Sequence, residues 1–465
     1  MRKTTRLDLT QGSVIKKILL FAIPIMLGNL LQQFYSAADR IVVGQFAKDG
    51  TVALAAVGAT SSATALIVGM FVGIATGVNV ICANLLGAKK AKALRQSMHT
   101  AVLVSLVCGF IVGLLGVLAS RQILLWMATP ADVLDQATLY MRIYFMGVPA
   151  SLMYNFGAGI LRAHGDTKRP MYILLISGVL NVVLNIVLVV GFHRSVDGVA
   201  IATAASQLLS AAMVLRILFD PKDQYKLTIR ELHIHTAQLT SIIRVGVPSG
   251  LSSMVFSISN VILQSSVNSF GDAAIIAGKT AAIDTSTLIY QVLAAMLATC
   301  VSFAGQCYGA REYKRIDKLA LTACGLCWGV MGSALVICYF FAPQMISLFN
   351  PDPEVIRHGT TILRINCIGY LIYIPSEIFL GCSRGMKFAG MPALLNFLAI
   401  CVTRLIWIWT VFPQHKTVPI LFLCYPISWG ISSVLQIINY VLLRRKIDRQ
   451  LANTQKAAAQ QLPSA

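Results

Sequence analysis

Between polar breaks the chain presents twelve apolar runs, near residues 18–46, 52–84, 97–119, 138–161, 170–192, 199–219, 245–270, 273–305, 319–341, 361–383, 392–412 and 418–443. Each reaches the roughly 20 residues that a helix needs to cross a bilayer. Pro24, Pro149, Pro248 and Pro375 lie within or at the ends of these runs, where membrane helices tolerate proline if neighbours recover the freed carbonyl. Composition points the same way. Of 465 residues, 57% are apolar and 12% charged, against roughly 45–50% and 25% in soluble domains, and mean hydropathy is +0.73. A soluble protein is excluded, and the pattern predicts an all-α polytopic membrane protein. The start, Met1 to Arg6, resembles the charged head of a signal peptide. The apolar stretch behind it is too long for a cleaved segment and lacks a small-x-small site, so the first helix is expected to be retained.

Charge changes the picture from spans to orientation. A net charge of +20 might suggest nucleic acid, but the positive residues sit in alternate loops. With the N-terminus in the cytosol, 28 of the 38 Lys and Arg fall on the cytosolic side, including Lys89, Lys90, Lys168, Arg169, Arg311 and Lys387. Seven fall opposite, and Arg40, Lys279 and Arg404 lie inside spans. This positive-inside bias predicts cytosolic termini in a cell-membrane protein and no nucleic-acid partner. The eleven cysteines lie in or beside apolar runs, where thiols pack as small hydrophobes. Cys324 and Cys327 form C-x-x-C without a second ligand pair, and His233 and His235 sit in a polar loop, so neither a disulfide framework nor a metal site is expected.

The chain also repeats. An offset of 222 residues superimposes Gly87-Ala88-Lys89 on Gly309-Ala310-Arg311, Arg142 on Arg364, Gly147 on Gly369, Gly159 on Gly381, Arg162 on Arg384 and Pro170 on Pro392. Six spans per half return the chain to the same side, so the repeat is parallel, about an axis along the membrane normal. The expected organisation is an N-terminal lobe (1–219), a cytosolic loop (220–244), a C-terminal lobe (245–443) and a polar cytosolic tail (444–465). Two equivalent lobes around a cleft are the architecture of a carrier.

These residues resemble the multidrug and toxic compound extrusion (MATE) transporters over nearly the whole chain. The first span reads Gln32-Gln33-Phe-Tyr-Ser-Ala-Ala-Asp39-Arg-Ile-Val-Val-Gly44, like the family's first helix. Gly87-Ala88 and Gly309-Ala310 resemble the loops after its second and eighth helices. Gly159-Ile-Leu-Arg162 and Gly381-Cys-Ser-Arg384 resemble the ends of its fourth and tenth. The resemblance implies twelve transmembrane helices in two six-helix lobes and export of organic compounds against protons or sodium. It also implies a first-lobe cation site at Asp39, Asn181, Asn185 and Thr203. Asn185 departs from the acid often found there, which makes the site less anionic and favours a proton over sodium.

Only Asp39, Asp284 and Glu377 are acids within spans, and a mid-membrane charge costs roughly 2.5–3.5 kcal/mol, so each should face a cavity or partner. Polar stripes at helical spacing support wet faces: Asn29, Gln32, Gln33, Ser36 and Asp39 on the first span, Ser249, Ser253, Ser257, Asn260, Gln264 and Asn268 on the seventh, and Thr280, Asp284, Thr287 and Gln291 on the eighth. A second-lobe polar cluster of Asn260, Gln264, Lys279, Asp284, Glu377 and Arg404 follows, with Glu377 expected to meet Arg404 and Lys279 an alternative partner for Asp284. Gln33, Tyr35, Asn155, Phe256, Tyr290 and Met296 are candidates for the substrate cleft. The expected protein is a monomeric, cofactor-free antiporter in the lipid bilayer that exports amphipathic, often cationic, small molecules. A lipid-linked sugar flippase is the alternative. An enzyme is not expected, because no D-D-x-x-D or H-x-x-x-x-D constellation occurs.

Overall fold

The structure, a computed structural model, describes residues 7–47, 49–127, 129–221 and 226–460, without the side chains of Ser62, 255–258 and 454–460. Its long helices are α1 (Val14–Phe46), α2 (Gly50–Gly87), α3 (Ala91–Trp126), α4 (Ala131–Ala163), α5 (Lys168–Asn185) and α6 (Val196–Leu218) in the first half. The second half holds α7 (Thr236–Asn268), α8 (Ala273–Gly309), α9 (Tyr313–Phe340), α10 (Pro353–Gly385), α11 (Gly390–Thr410) and α12 (Cys424–Gln460). Two of them carry π-helical turns, Ile186–Gly191 at the end of α5 and Phe397–Val402 within α11. Among the described residues there is no strand, so backbone groups are satisfied within each helix, as lipid requires.

The helices outrun the apolar stretches that announce them. α3 spans Ala91–Trp126 where the apolar run covers 97–119, α7 begins at Thr236 inside the expected loop, and α12 carries the expected polar tail as helix to Gln460. Charged and polar turns extend these helices past their apolar stretches without breaking them. Among the described residues eleven helical segments are long and apolar enough to cross a membrane; α4 is the exception among the twelve long helices. Tyr140, Tyr144, Tyr154 and Asn155 dilute it, yet it packs against α2, α3 and α6 at the centre of its lobe and does not depend on lipid contact. Outward-facing Phe110, Leu118, Leu321 and Phe340 supply the apolar belt instead. Ten of the eleven cysteines are buried and Cys108 is half-buried.

The repeat is written into the backbone. Lys89 (φ 55°) and Arg311 (φ 63°) take the left-handed conformation at equivalent places, as do Gly165 (φ 81°) and Lys387 (φ 71°). Where the lobes meet, equivalent side chains make equivalent bonds. Asn84 Nδ2 donates to the Gly385 carbonyl at 2.9 Å, and its counterpart Gln306 Nε2 donates to the Ala163 carbonyl at 2.8 Å. A Cβ on Gly87 would lie 2.0 Å from the Gln306 carbonyl oxygen, and one on Gly309 would lie 2.0 Å from that of Asn84. Asn79 and Ser302 add a bond at 2.9 Å. The lobes are thus sealed on the face that carries the basic loops.

A strap crosses this seal. Leu7 N–H donates to the Gly165 carbonyl in the first lobe, while Leu9 N–H reaches Gln306 Oε1 and Arg315 reaches the Leu9 and Gln11 carbonyls in the second. Burial works to raise the Asp8 carboxyl, but Thr10's hydrogen bonds and the Lys17 and Arg315 charges hold it below its ordinary value. It therefore stays ionised at neutral pH.

α2 and α7 cross with almost no side chain between them. A Cβ on Gly73 would lie 2.2 Å from Gly250 Cα, and one on Gly77 2.7 Å from Gly246 N. Both pairs are four residues apart, the small-xxx-small pattern that lets membrane helices touch. Gly73→Ala should force backbone apart, at an overpacking cost of about 1–3 kcal/mol, and lower the unfolding midpoint in detergent. Gly58→Ala, on the same helix where a Cβ meets nothing within 4 Å, should leave it unchanged.

Candidate functional site

The first-lobe cavity, about 160 Å³, is built by α1, α4, α5 and α6. α1 reaches α5 because Gly178 makes room for the Tyr35 ring, whose hydroxyl donates to the Leu175 carbonyl at 3.2 Å. This contact brings Asp39 to the last α-helical turn of α5, where Asn185 Nδ2 donates to Asp39 Oδ1 and sits 3.4 Å from Asn181 Oδ1. The π-helical turn starts at the next residue. Asp39, Asn181 and Thr203 line the cavity, together with Tyr35, Tyr154 and Asn155. Asn185 Oδ1 and Thr203 Oγ1 are buried without a hydrogen-bond partner. The four first-lobe residues implied by resemblance are therefore together, around one carboxylate and spare acceptor oxygens. Arg40 follows Asp39, its Nε held by the Ser36 carbonyl at 3.3 Å, and its charge acts on both Asp39 and Asp284.

A larger cavity of about 970 Å³ is walled mostly by the second lobe and closed on the other side by Gln33 of α1 and Ser61, Ala65 and Leu66 of α2. Asn260, Gln264 and Asn268 of the α7 stripe line it, as do Thr287, Tyr290 and Gln291 of α8. The other end of the α7 stripe, Ser249 and Ser253, bonds to its own helix beside α2. Lys279 is buried in the wall of this cavity and donates to Gln264 Oε1; Gln264 Nε2 in turn bonds Asn268 Oδ1 at 2.7 Å. Asn29, Gln32, Gln33, Ser36 and Gln291 line a third space of about 350 Å³ along α1 and α8.

Two expected pairs do not form. Glu377 accepts from the Tyr373 hydroxyl and feels the Arg384 charge, while Arg404 donates to Ser428 (3.2 Å), Ser259 (3.2 Å) and Asn260 (3.4 Å) and lies 4.2 Å from the Tyr425 ring centroid. The π-helical turn Phe397–Val402 ends just before Thr403 and resets the phase of α11 ahead of Arg404, a shift that residue counting along a regular helix misses. Lys279 does not reach Asp284 either, because five residues turn the two onto different faces of α8; Asp284 is exposed and lines neither lobe cavity. Met296 is buried in the second-lobe core and lines none of these spaces. The Phe256 side chain lies outside the described residues.

Sequence reading also missed an aromatic wall. Tyr370 and Tyr373 of α10 stack on Trp429 of α12 with centroids 4.7 and 5.2 Å apart, and Tyr425 adds a tilted contact at 5.1 Å. All four line the larger cavity. Their i, i+3 and i, i+4 spacings on two helices are the signal that could have revealed them.

The MatE family profile matches residues 24–187 and again 248–410, once in each lobe. The chain belongs to the MatE family. It is a multi-pass membrane transporter, not an enzyme. It is 27% identical to the probable multidrug resistance protein YoeA of Bacillus subtilis (strain 168), over 84% of this chain and 85% of that one. It is 23% identical to the multidrug export protein MepA of Staphylococcus saprophyticus, over 80% and 81%. A crystal structure of a MATE protein in complex with MaL6 superposes with a TM-score of 0.88 at 23% identity, over 97% of this chain and 99% of that one. This gives the twelve-helix, two-lobe MATE fold.

A double-mutant cycle checks the revised second-lobe contacts. Glu377→Gln and Arg404→Met should be additive in detergent stability within about 0.5 kcal/mol, as for groups that do not share a bond. Glu377→Gln and Tyr373→Phe should couple by about 1 kcal/mol, the worth of one hydrogen bond.

Proposed function

We propose that the protein is a proton-coupled antiporter that exports amphipathic organic compounds across the cell membrane by alternating access. Several features support this. The two relatives described above are a probable multidrug resistance protein and a multidrug export protein; the lobes close on the basic face while cavities remain between and within them. The observation that carries the coupling reading is the Asp39 contact with Asn185 inside a polar first-lobe cavity. A carboxylate accepts from the amide nitrogen, whereas a protonated carboxyl needs an acceptor. The unpartnered Asn185 Oδ1 is such an acceptor, so turning the amide reads out the proton. This gives the two states of α1 and α5 different contacts, which is the differential free energy that a coupled conformational change requires.

Sodium is the second reading, because Asn185 Oδ1 and Thr203 Oγ1 are spare oxygens beside a carboxylate, the ligand type that a hard cation takes. Only one carboxylate stands among them, which favours the proton. Nothing in the relatives' names favours the flippase alternative. In inverted vesicles with an imposed pH gradient at fixed sodium, Asp39→Asn should abolish dye movement at normal expression, and Asp39→Glu should retain part of it. Undiminished pH-driven transport by Asp39→Asn would move coupling to Glu377 or Asp284; transport driven only by sodium would select the second reading.

We also propose that both termini, the loop before α7 and the basic seam face the cytosol in a monomer, on the strength of the charge distribution. In a Cys108→Ser background, cysteines placed at Gln224 and Ser464, both outside the described residues, should react with an impermeant maleimide only after permeabilisation. Labelling in intact cells would invert the orientation.

A further inference from the structure

The charges around the two lobe cavities have opposite signs. Asp39 lines the first, whereas among the described residues the larger one is lined by Lys279 and by no carboxylate. Each charged group near it bears this out. Arg404 lies behind the aromatic wall, 4.2 Å from the Tyr425 centroid and 5.8 Å from that of Trp429. Glu377 is 3% exposed, lies behind Tyr373 and is offset by Arg384. Asp284 is outside the lining.

The wall has a further property. Aromatic faces attract cations through their quadrupole, and here Arg404 already occupies that role against Tyr425 and Trp429. A cation entering against the same rings would meet a guanidinium through them, while an anion would be drawn to it. Lys279 adds an ammonium with three N–H donors, of which Gln264 takes one.

We infer that this cavity binds a flat aromatic anion, with its acidic group on Lys279 and its ring against Tyr290 and Tyr370. A volume of about 970 Å³ suits an organic molecule of drug size. This narrows the substrate class of the exporter proposed above and rests on that reading, but binding can be measured without transport.

The test uses full-length protein in phosphatidylcholine nanodiscs and two dyes on one xanthene ring, anionic fluorescein and cationic rhodamine 123, with empty nanodiscs subtracted. Fluorescence anisotropy should show fluorescein binding at least tenfold more tightly. Lys279→Gln should weaken fluorescein about tenfold while sparing rhodamine, and Lys279→Arg should retain it. Should Lys279→Gln not fold, Tyr290→Leu removes one ring of the stack and should weaken fluorescein several-fold. Rhodamine binding as tightly as fluorescein, or fluorescein affinity indifferent to Lys279→Gln or to Tyr290→Leu, overturns the assignment. Gradient-driven rhodamine transport with no fluorescein binding would overturn it and leave the exporter reading standing. Selective fluorescein binding without transport of either dye would do the reverse.

Discussion

Close backbone approach between the lobes is the constraint on which the rest of this structure depends. In lipid, apolar side chains gain little by leaving their surroundings for one another, so helices associate through packing and hydrogen bonds. The lobes use both. Gly73 and Gly77 lie on Gly246 and Gly250, and Gly87 and Gly309 let Asn84 and Gln306 reach carbonyls at the ends of α10 and α4. The amides swap across a pseudo-two-fold axis, so one bond on each side supports the other. The cavities, the polar faces of α1, α7 and α8 and the strap ahead of α1 are arranged around that contact.

The repeat has kept its frame and exchanged its chemistry. Asn155, in the first cavity, corresponds to Glu377; Asp39 corresponds to Val261; Lys279 and Arg404 correspond to Val57 and Val182. The π-helical turns have moved too, since Ile186 corresponds to Ile408 rather than Phe397. Each now sits beside the polar residue its own lobe relies on, Asn185 in one and Arg404 in the other. Such turns frequently mark functional positions within helices. Duplicated scaffolds thus line one cavity with an acid and the other with a base, and neither lining could be inferred by copying the other.

How much was legible follows from which physics acts locally. Apolar length and loop charge are local, and they mark the helices, the repeat and the shared face of Lys89, Arg311 and Lys387. Asp39, Asn181, Asn185 and Thr203 were legible through the family motif, and the structure gathers them. The pairing of Glu377 with Arg404 was not, because a π-helical turn shifts the phase of α11 and leaves no compositional trace. Lys279 was identified as a buried charge, but its partner lies on α7, and a contact between distant helices is invisible to spacing. The aromatic wall was legible in principle from Tyr370, Tyr373, Tyr425 and Trp429, yet aromatic pairs at helical spacing are so often mere packing that only the cavity gives them meaning.

The strap before α1 has a practical consequence for anyone producing this protein. Leu7, Leu9 and Gln11 join the first lobe's Gly165 loop to Gln306 and Arg315 of the second, so the chain's first residues lead straight into a junction that must part if the basic face is to open. A purification tag or fluorescent fusion ahead of Leu7 is therefore attached beside that junction, whereas a handle on α12 is attached to a helix packed against second-lobe helices.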